Sequence, residues 1–288
     1  MRELTDMGPD GLGILPDAVV DGRRELGLPT RRVGEKFYYL RSVGSTNAVL
    51  LELAQAGEPA GTVVLADEQT GGRGRVGRAW FSPEARGIWV SVLLRTGLSA
   101  EGLAPLSVAG AVAVAEALRK HTGLDVRVKW PNDLMVEERK LGGLLVESAQ
   151  AADGSIEFAS VGLGLNVNLR GEEIPPELAP RATSLAVCLG HDVSRLEVLR
   201  TVLLALEECF EEFERGGMES FRAQWRELST LLGRKVVLQG TQGDRVARVV
   251  DIAPTGALRL ELPSGEIEEV WHGDVTPQSA PERGTDDD

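Results

Sequence analysis

Three guanidinium groups and four glycines within eight residues, Gly71-Gly72-Arg73-Gly74-Arg75-Val76-Gly77-Arg78, mark a segment able to close over an anion. Guanidinium matches carboxylate and phosphate oxygens through paired hydrogen bonds and stays charged at any working pH. Glycine supplies positive φ and lets backbone N–H groups approach a ligand closely. Alone, such a loop also describes a solvated basic turn. Further polar clusters accompany it: Ser45-Thr46-Asn47, Gln69 just ahead of the loop, Lys129-Trp130-Pro131-Asn132-Asp133, and Lys140-Leu141-Gly142-Gly143. No Gly-Lys-Ser/Thr follows the glycines, which excludes a Walker-type phosphate loop. His121, His191 and His272 are scattered and Cys188 and Cys209 sit in apolar, helix-like contexts. No nucleophile–base pair and no zinc cluster stands out. The chemistry on offer is anion binding and charge stabilisation.

The balance of 31 basic against 44 acidic residues, a formal net charge of -13, argues against a nucleic-acid surface, whose affinity comes mostly from phosphate neutralisation. A local positive focus on an acidic protein suits a small anionic ligand. No stretch has the uninterrupted apolar length of a membrane span, and the start lacks the profile of a signal peptide, so a cytoplasmic protein is expected. Two cysteines imply free thiols rather than a disulfide framework.

The elements that must hold these groups follow from periodicity. Residues 1–36 read as a loosely ordered leader with one short helix, Asp17 to Gly27. A strand at Phe37–Leu40 precedes a helix opened by Ser45 or Thr46 and stopped at Gly57. Thr62–Ala66 and Ile88–Leu94 read as buried strands flanking the glycine loop, and Pro105–His121 as a buried helix. Val126–Trp130, Leu134–Val136 and Leu144–Glu147 form strands around the Pro131-Asn132-Asp133 turn. After a turn at Asp153-Gly154-Ser155, Ile156–Asn168 reads as a strand whose Gly162 and Gly164 leave room for a close neighbour, here expected to be the ligand. Ser194 and Glu197 suggest a capping box opening a helix with Leu196, Leu199, Leu203, Leu206, Phe210 and Phe213 on one face. A second helix, Glu219–Leu232, ends at Gly233. Short strands follow at Lys235–Leu238, Arg245–Ile252, Ala257–Leu260 and Ile267–Trp271, a small all-β module.

Taken in order and spacing, Ser-Thr-Asn, Gly-Arg-Gly-Arg-x-Gly-Arg, Lys-Trp-Pro-Asn-Asp, Lys-x-Gly-Gly and Gly-Leu-Gly-Leu-Asn-Val resemble the biotin protein ligase family from about Arg41 to Asp274. The resemblance implies an α+β fold: a mixed β-sheet with helices, like class II aminoacyl-tRNA synthetase catalytic domains, plus a C-terminal SH3-like β-barrel. The expected divisions are a leader (1–36), a biotin- and ATP-binding catalytic domain (37–233), the β domain (234–275) and a disordered acidic tail (276–288). The implied activity is that of a biotin–[biotin carboxyl-carrier protein] ligase. The biotin carboxylate attacks the α-phosphate of ATP to give biotinyl-5'-AMP, and a lysine of a carboxylase carrier domain then attacks that anhydride.

By the same resemblance, Lys129, Arg75 and Arg73 are the catalytic cations, and Ser45, Thr46, Asn47, Gln69, Arg73, Gly74, Arg75 and Lys129 bind biotin. Arg78, Trp80, Asn132 and Asn166 contact the adenylate, and Mg²⁺ accompanies ATP without a dedicated protein metal site. Asp133 is expected to orient Lys129 or to help hold the Mg²⁺. The stretch ahead of Phe37 is too short for a winged helix-turn-helix, so the expectation is a monofunctional ligase whose partner is the biotin carboxyl carrier domain, with neither nucleic acid nor membrane. A lipoate–protein ligase and a noncatalytic biotin-binding regulator are the alternatives.

Overall fold

The computed structural model describes residues 18–150, 155–238, 244–271, 273 and 275–278. Among them, runs of β-branched and aliphatic residues form one eight-stranded sheet. Its strands are β1 (Ala18–Val20), β2 (Phe37–Val43), β3 (Val63–Gln69), β4 (Gly87–Leu94), β5 (Val126–Lys129), β6 (Asp133–Val136), β7 (Arg139–Gln150) and β8 (Ile156–Asn166). Their order is β1-β2-β3-β4-β8-β7-β6-β5. β2 and β3 run parallel and the other neighbours antiparallel, so the sheet is mixed as expected.

The helices are α1 (Gly22–Glu25), α2 (Thr46–Gln55), α3 (Ala100–Leu103), α4 (Leu106–Thr122), α5 (Leu185–Leu189), α6 (Arg195–Gly216) and α7 (Arg222–Leu228). α2 is the crossover that the parallel β2–β3 pair requires. Strand side chains alternate in direction, and the sheet is covered on both faces accordingly. Leu50 and Ala54 of α2 pack on Val64, Leu93 and Phe158. Val63, Leu65, Val90, Val92 and Val161 point the other way, into the core shared with α4 and α6. All six apolar residues expected on one face of α6 are buried there. Its capping box is half formed: Ser194 Oγ accepts from the Glu197 N–H at 3.3 Å, while the Glu197 carboxylate turns to Arg200. Among the described residues, the helical stretch Ala100–Thr122 is long and apolar enough to cross a membrane by composition, but most of it is buried inside this fold.

The expected leader is not loose where it is described. β1 extends the sheet beside β2, and Leu26, Leu28 and Val33 are buried in the main core. The expected helix shrinks to α1, capped by the Asp21 side chain; Asp17 and the residues before it lie outside the described residues. What orders this polar stretch is remote in sequence. The buried carboxylate of Glu207 on α6 accepts the backbone N–H groups of Arg31 (2.7 Å), Arg32 (2.7 Å) and Val33 (2.9 Å).

Burial alone would raise the Glu207 pKa, but those N–H groups hold it below its ordinary value of 4.5. Its stabilisation is therefore complete above the ordinary glutamate range and is lost as pH falls through the lowered value. Glu207→Gln is expected to lower stability at neutral pH by about 1–3 kcal/mol, through N–H groups left poorly paired. Denaturant melts across acid and neutral pH would read this. The variant should also lose less stability than the parent on acidification, and an equal acid-side slope in both proteins would refute the assignment.

The C-terminal strands β9 (Lys235–Leu238), β10 (Arg245–Ile252), β11 (Leu258–Glu261), β12 (Ile267–Val270) and β13 (Val275–Pro277) form an antiparallel sheet in the order β12-β11-β10-β9-β13. β13 carries the chain through the expected boundary at 275/276, so Thr276 and Pro277 belong to the sheet; residues 279–288 of the expected tail lie outside the described residues. The second helix expected before this module is a 3₁₀ segment, Gly217–Phe221, followed by the shorter α7. α7 carries Arg222 and Arg226, both 2.7 Å from the Asp251 carboxylate on β10. Burial would raise the Asp251 pKa, yet the hydrogen bonds of Arg226, the Ile252 backbone N–H and Arg222 bring it down to about 2. The Trp130 indole N–H donates to Gly256 O at 3.0 Å, which fixes the module beside the Lys-Trp-Pro-Asn-Asp turn.

Candidate active site

The α2 face of the sheet carries a polar bed within its hydrophobic strands. Ser91 on β4 lies opposite Gly162 on β8, and Ser160 on β8 lies opposite Glu147 on β7. The first turn of α2 is set above them. Ser45 occupies the N-cap position, as expected, but makes no side-chain cap bond. Thr46 donates both its backbone N–H, at 2.9 Å, and its Oγ hydroxyl, at 3.1 Å, to Gln69 Oε1. Gln69 Nε2 donates to Ser82 Oγ at 3.0 Å. Asn47 Oδ1 accepts from Ser91 at 2.7 Å and Ser160 at 2.8 Å, while its Nδ2 donates to Glu147 Oε2 at 2.6 Å. Ser45, Thr46, Asn47 and Gln69, expected together, are brought together.

The glycine loop is a hairpin rooted beside that bed. Thr70 and Gly71 donate to the carbonyls of Val43 and Gly44, and Trp80 N–H returns to Gly72 O at 2.9 Å. A Cβ on Gly72 would sit 2.6 Å from Trp80 O, and Gly77 has φ +70; the other glycines of the loop do not take positive φ. Close approach, more than left-handed backbone, is thus what the glycines provide. Behind the root, buried Arg195 binds Asp67 Oδ1 at 2.9 Å and Gly87 O at 3.0 Å, tying together the strands that flank the loop. Arg73 Nη1 lies 3.8 Å from Glu147 Oε1. Gly74 and Arg78 form the closing pair of the hairpin, through Gly74 N–H to Arg78 O at 2.7 Å.

Trp80 folds down from this hairpin onto Gly164, where a Cβ would meet the indole nitrogen at 2.4 Å. The room expected beside Gly162 and Gly164 for a ligand is therefore taken by protein, with Asn47 over the first and Trp80 over the second. Lys140 Nζ sits 5.2 Å from the Trp80 ring centroid and 2.6 Å from Asp133 Oδ1. The backbone on both sides of Lys140 is fixed by the 181–183 segment, through Lys140 N–H to Arg181 O and Thr183 N–H to Lys140 O. A cation on an aromatic face beside a carboxylate is attracted by both.

Lys129 lies farther out. Cross-strand partners run Lys129, Asp133, Gly143, Gly164, Trp89 across β5, β6, β7, β8 and β4. With strands about 4.8 Å apart, the Lys129 backbone is roughly 14 Å from Gly164. Asp133, expected to orient Lys129 or to help hold Mg²⁺, is paired with Lys140 instead. The amide nitrogens of the two asparagines among the expected adenylate contacts are bound within the fold: Asn132 Nδ2 donates to Leu144 O, and Asn166 Nδ2 to Thr183 O at 2.9 Å. Among the described residues no group of three or more His, Cys, Asp or Glu side chains could hold a metal.

A cleft of about 320 Å³ opens where β7 runs past the end of β6, lined by Arg75, Pro105, Trp130, Pro131, Leu145 and Trp271 among others. It joins the arginine loop to the C-terminal module and does not include the Thr46–Gln69 seat. Ser91, Ser160, Glu147 and Lys140 were not assigned from sequence. The available signal for the serines was a lone hydroxyl in otherwise apolar strands, and for Lys140 its place in a motif already noted.

The Biotin/lipoate A/B protein ligase family model matches residues 39–166, and the biotin protein ligase C-terminal domain model matches residues 231–276. A biotin–[acetyl-CoA-carboxylase] ligase of Paracoccus denitrificans is 32% identical over 231 residues, 78% of this chain and 94% of its own length. A bifunctional ligase/repressor of Bacillus spizizenii is 31% identical over 90% of this chain and 79% of its own. Among solved structures, the Aquifex aeolicus biotin protein ligase in complex with biotin and ATP superposes with a TM-score of 0.72 at 32% identity, covering 85% of this chain and 99% of that one.

Proposed function

Since this chain belongs to the biotin protein ligase family, we propose that it activates biotin with ATP and transfers it to a lysine on the biotin carboxyl carrier domain of a carboxylase, in the cytoplasm. The observation that carries this reading is a hydrogen-bonding seat at the start of α2 that faces, across one sheet surface, a lysine and a tryptophan beneath an arginine loop.

Ser45, Thr46 and Gln69 are proposed to hold the ureido head group, which needs both donors and acceptors. Arg73, Arg75, Lys140 and Lys129 are proposed to supply positive charge along the path from the biotin carboxylate to the phosphates, with Gly74 bordering the biotin carboxylate. Trp80, Arg78, Asn132 and Asn166 are proposed to border the adenylate, the two asparagines through their carbonyl oxygens.

In the first step a carboxylate oxygen bonds to the α-phosphorus as its bond to the β-phosphate bridging oxygen breaks, releasing pyrophosphate. In the second, a neutral carrier lysine attacks the acyl carbon and loses a proton as AMP departs. Neither step needs a nucleophile from the enzyme, so catalysis rests on alignment and on cations where charge develops. Trp80 and the loop would keep water from the anhydride.

The full chain is expected to catalyse biotin-dependent pyrophosphate–ATP exchange and to biotinylate a carrier domain. Exchange supported by lipoate instead would overturn the substrate, and biotin binding without exchange would make the protein a noncatalytic regulator.

A further inference from the structure

We propose that Trp89 is a positioning residue that fixes Trp80 and, through it, the place of the Lys140 ammonium. The inference rests on the biotin reading above and deepens it. Trp89, Gly164, Gly143 and Asp133 are cross-strand partners on β4, β8, β7 and β6, so the four positions share the α2 face. Side chains stand only at the two ends of that row. The glycines between them leave a trough, with roughly 14 Å separating the outer backbones.

Two side chains from elsewhere fill it. Trp80 lies on Gly164, and the Lys140 stem crosses Gly143, where a Cβ would stand 3.4 Å from Lys140 Cε. The order across the trough is therefore Trp89, Trp80, Lys140, Asp133. Trp80 meets Trp89 in an edge-to-face contact, with ring centroids 6.4 Å apart and planes at 74°. Lys140 Nζ then stands 5.2 Å from the Trp80 centroid and 2.6 Å from Asp133 Oδ1.

The two indoles are anchored unequally. Trp89 is 1% exposed, and its N–H donates to Asp67 O at 3.1 Å and Pro83 O at 3.3 Å. The Asp67 side chain is itself held by Tyr39 and by buried Arg195. Trp80 Nε1, by contrast, is buried with no hydrogen-bond partner among the described residues. Nothing directional holds the Trp80 ring, so packing against Trp89 decides how far it extends toward Lys140. A smaller side chain at 89 lets the ring slide toward β4 and withdraws its face from the ammonium.

Trp89→Leu is expected to lower the kcat of biotin-dependent exchange about tenfold, with the biotin KM changed less than about threefold, since Trp89 makes no hydrogen bond to the Thr46–Gln69 seat. In a Lys140→Ala background the same change should cost less than about twofold, because the group being positioned is gone. Equal factors in the two backgrounds would mean a merely structural role and would overturn the proposal. Trp89→Phe keeps an aromatic edge and gives up the N–H, whose two acceptors retain other donors in the Ala85 and Arg86 N–H groups. It is expected to work within about threefold of wild type, and a loss equal to that of Trp89→Leu would also overturn the proposal.

A second readout needs neither substrate nor turnover. The Lys140 ε-methylene protons should carry an upfield ring-current shift from the Trp80 face, identified in a lysine-labelled NMR spectrum by its loss in Lys140→Ala. The shift is expected to persist in Trp89→Phe and to collapse in Trp89→Leu. Trp89→Met, which fills more volume without an aromatic edge, replaces Trp89→Leu if that variant does not fold. An unchanged shift overturns the proposal. If the shift collapses but wild type shows no biotin-dependent exchange, the biotin reading fails and the positioning of Lys140 stands.

Discussion

Lys140→Ala is expected to lower biotin-dependent adenylation by about 10²–10³-fold while leaving a folded protein, the effect usual for removing one preorganised group that stabilises developing charge. Lys140 is about a third exposed and its pair with Asp133 is partly solvated, so truncation should cost stability on the order of 1 kcal/mol or less. Its position explains why the kinetic effect should dominate. The ammonium is held between the Trp80 face and Asp133, on a backbone clamped from both sides by residues 181–183.

Lys140→Arg should recover little, since a larger planar guanidinium stacked on Trp80 would not place its charge where the compact ammonium does. The comparison that matters is with Lys129→Ala. From the outer edge of the sheet, and with no hydrogen bond or ion pair to its ammonium among the described residues, Lys129 is expected to contribute about tenfold through the phosphates. Single-turnover formation of biotinyl-AMP by both variants would decide it. A larger loss at Lys129 than at Lys140 would return the principal role to Lys129.

Gly164→Val is expected to reduce adenylation by about 100-fold through a displacement of roughly an ångström or more in the glycine loop. A Cβ at this position would lie 2.4 Å from Trp80 Nε1 and 2.7 Å from Cε2, closer than real contacts allow. The indole must move, and the hairpin that carries it must move too. Strand pairing of Gly164 with Gly143 and Trp89 leaves the backbone no room to retreat. Overpacking of this kind typically costs about 1–3 kcal/mol, so melting and exchange should be measured together. Gly97→Ala, where nothing lies within 4 Å of the added Cβ, is the control and should behave as wild type. Normal exchange by a folded Gly164→Val variant would show that Trp80 need not cover the sheet for catalysis.

The legible parts of this protein were those with local causes. The apolar stripe of α6, strands β2 to β8 of the main sheet and the all-β character after Gly233 come from periodicities of 3.6 and 2 that act within one element. Gly123 at φ +76 ends α4 for an equally local reason. Residues 18–36 were misread because their order derives from Glu207, on a helix that comes late in the chain. β13 was missed because a short strand ending in proline gains its place only by pairing with β9.

The same division runs through the site. Sequence determined which chemical groups are present and which family they resemble, because residue type and spacing are enough for each. Only the tertiary structure decided what each group is doing. It turned Gly162 and Gly164 into seats for Asn47 and Trp80, bound the Asn132 and Asn166 nitrogens within the fold, and chose Lys140 over Lys129 as the cation beside Trp80. Those outcomes depend on cross-strand register and on which side chains already satisfy one another, and both are properties of contacts between segments distant in the chain.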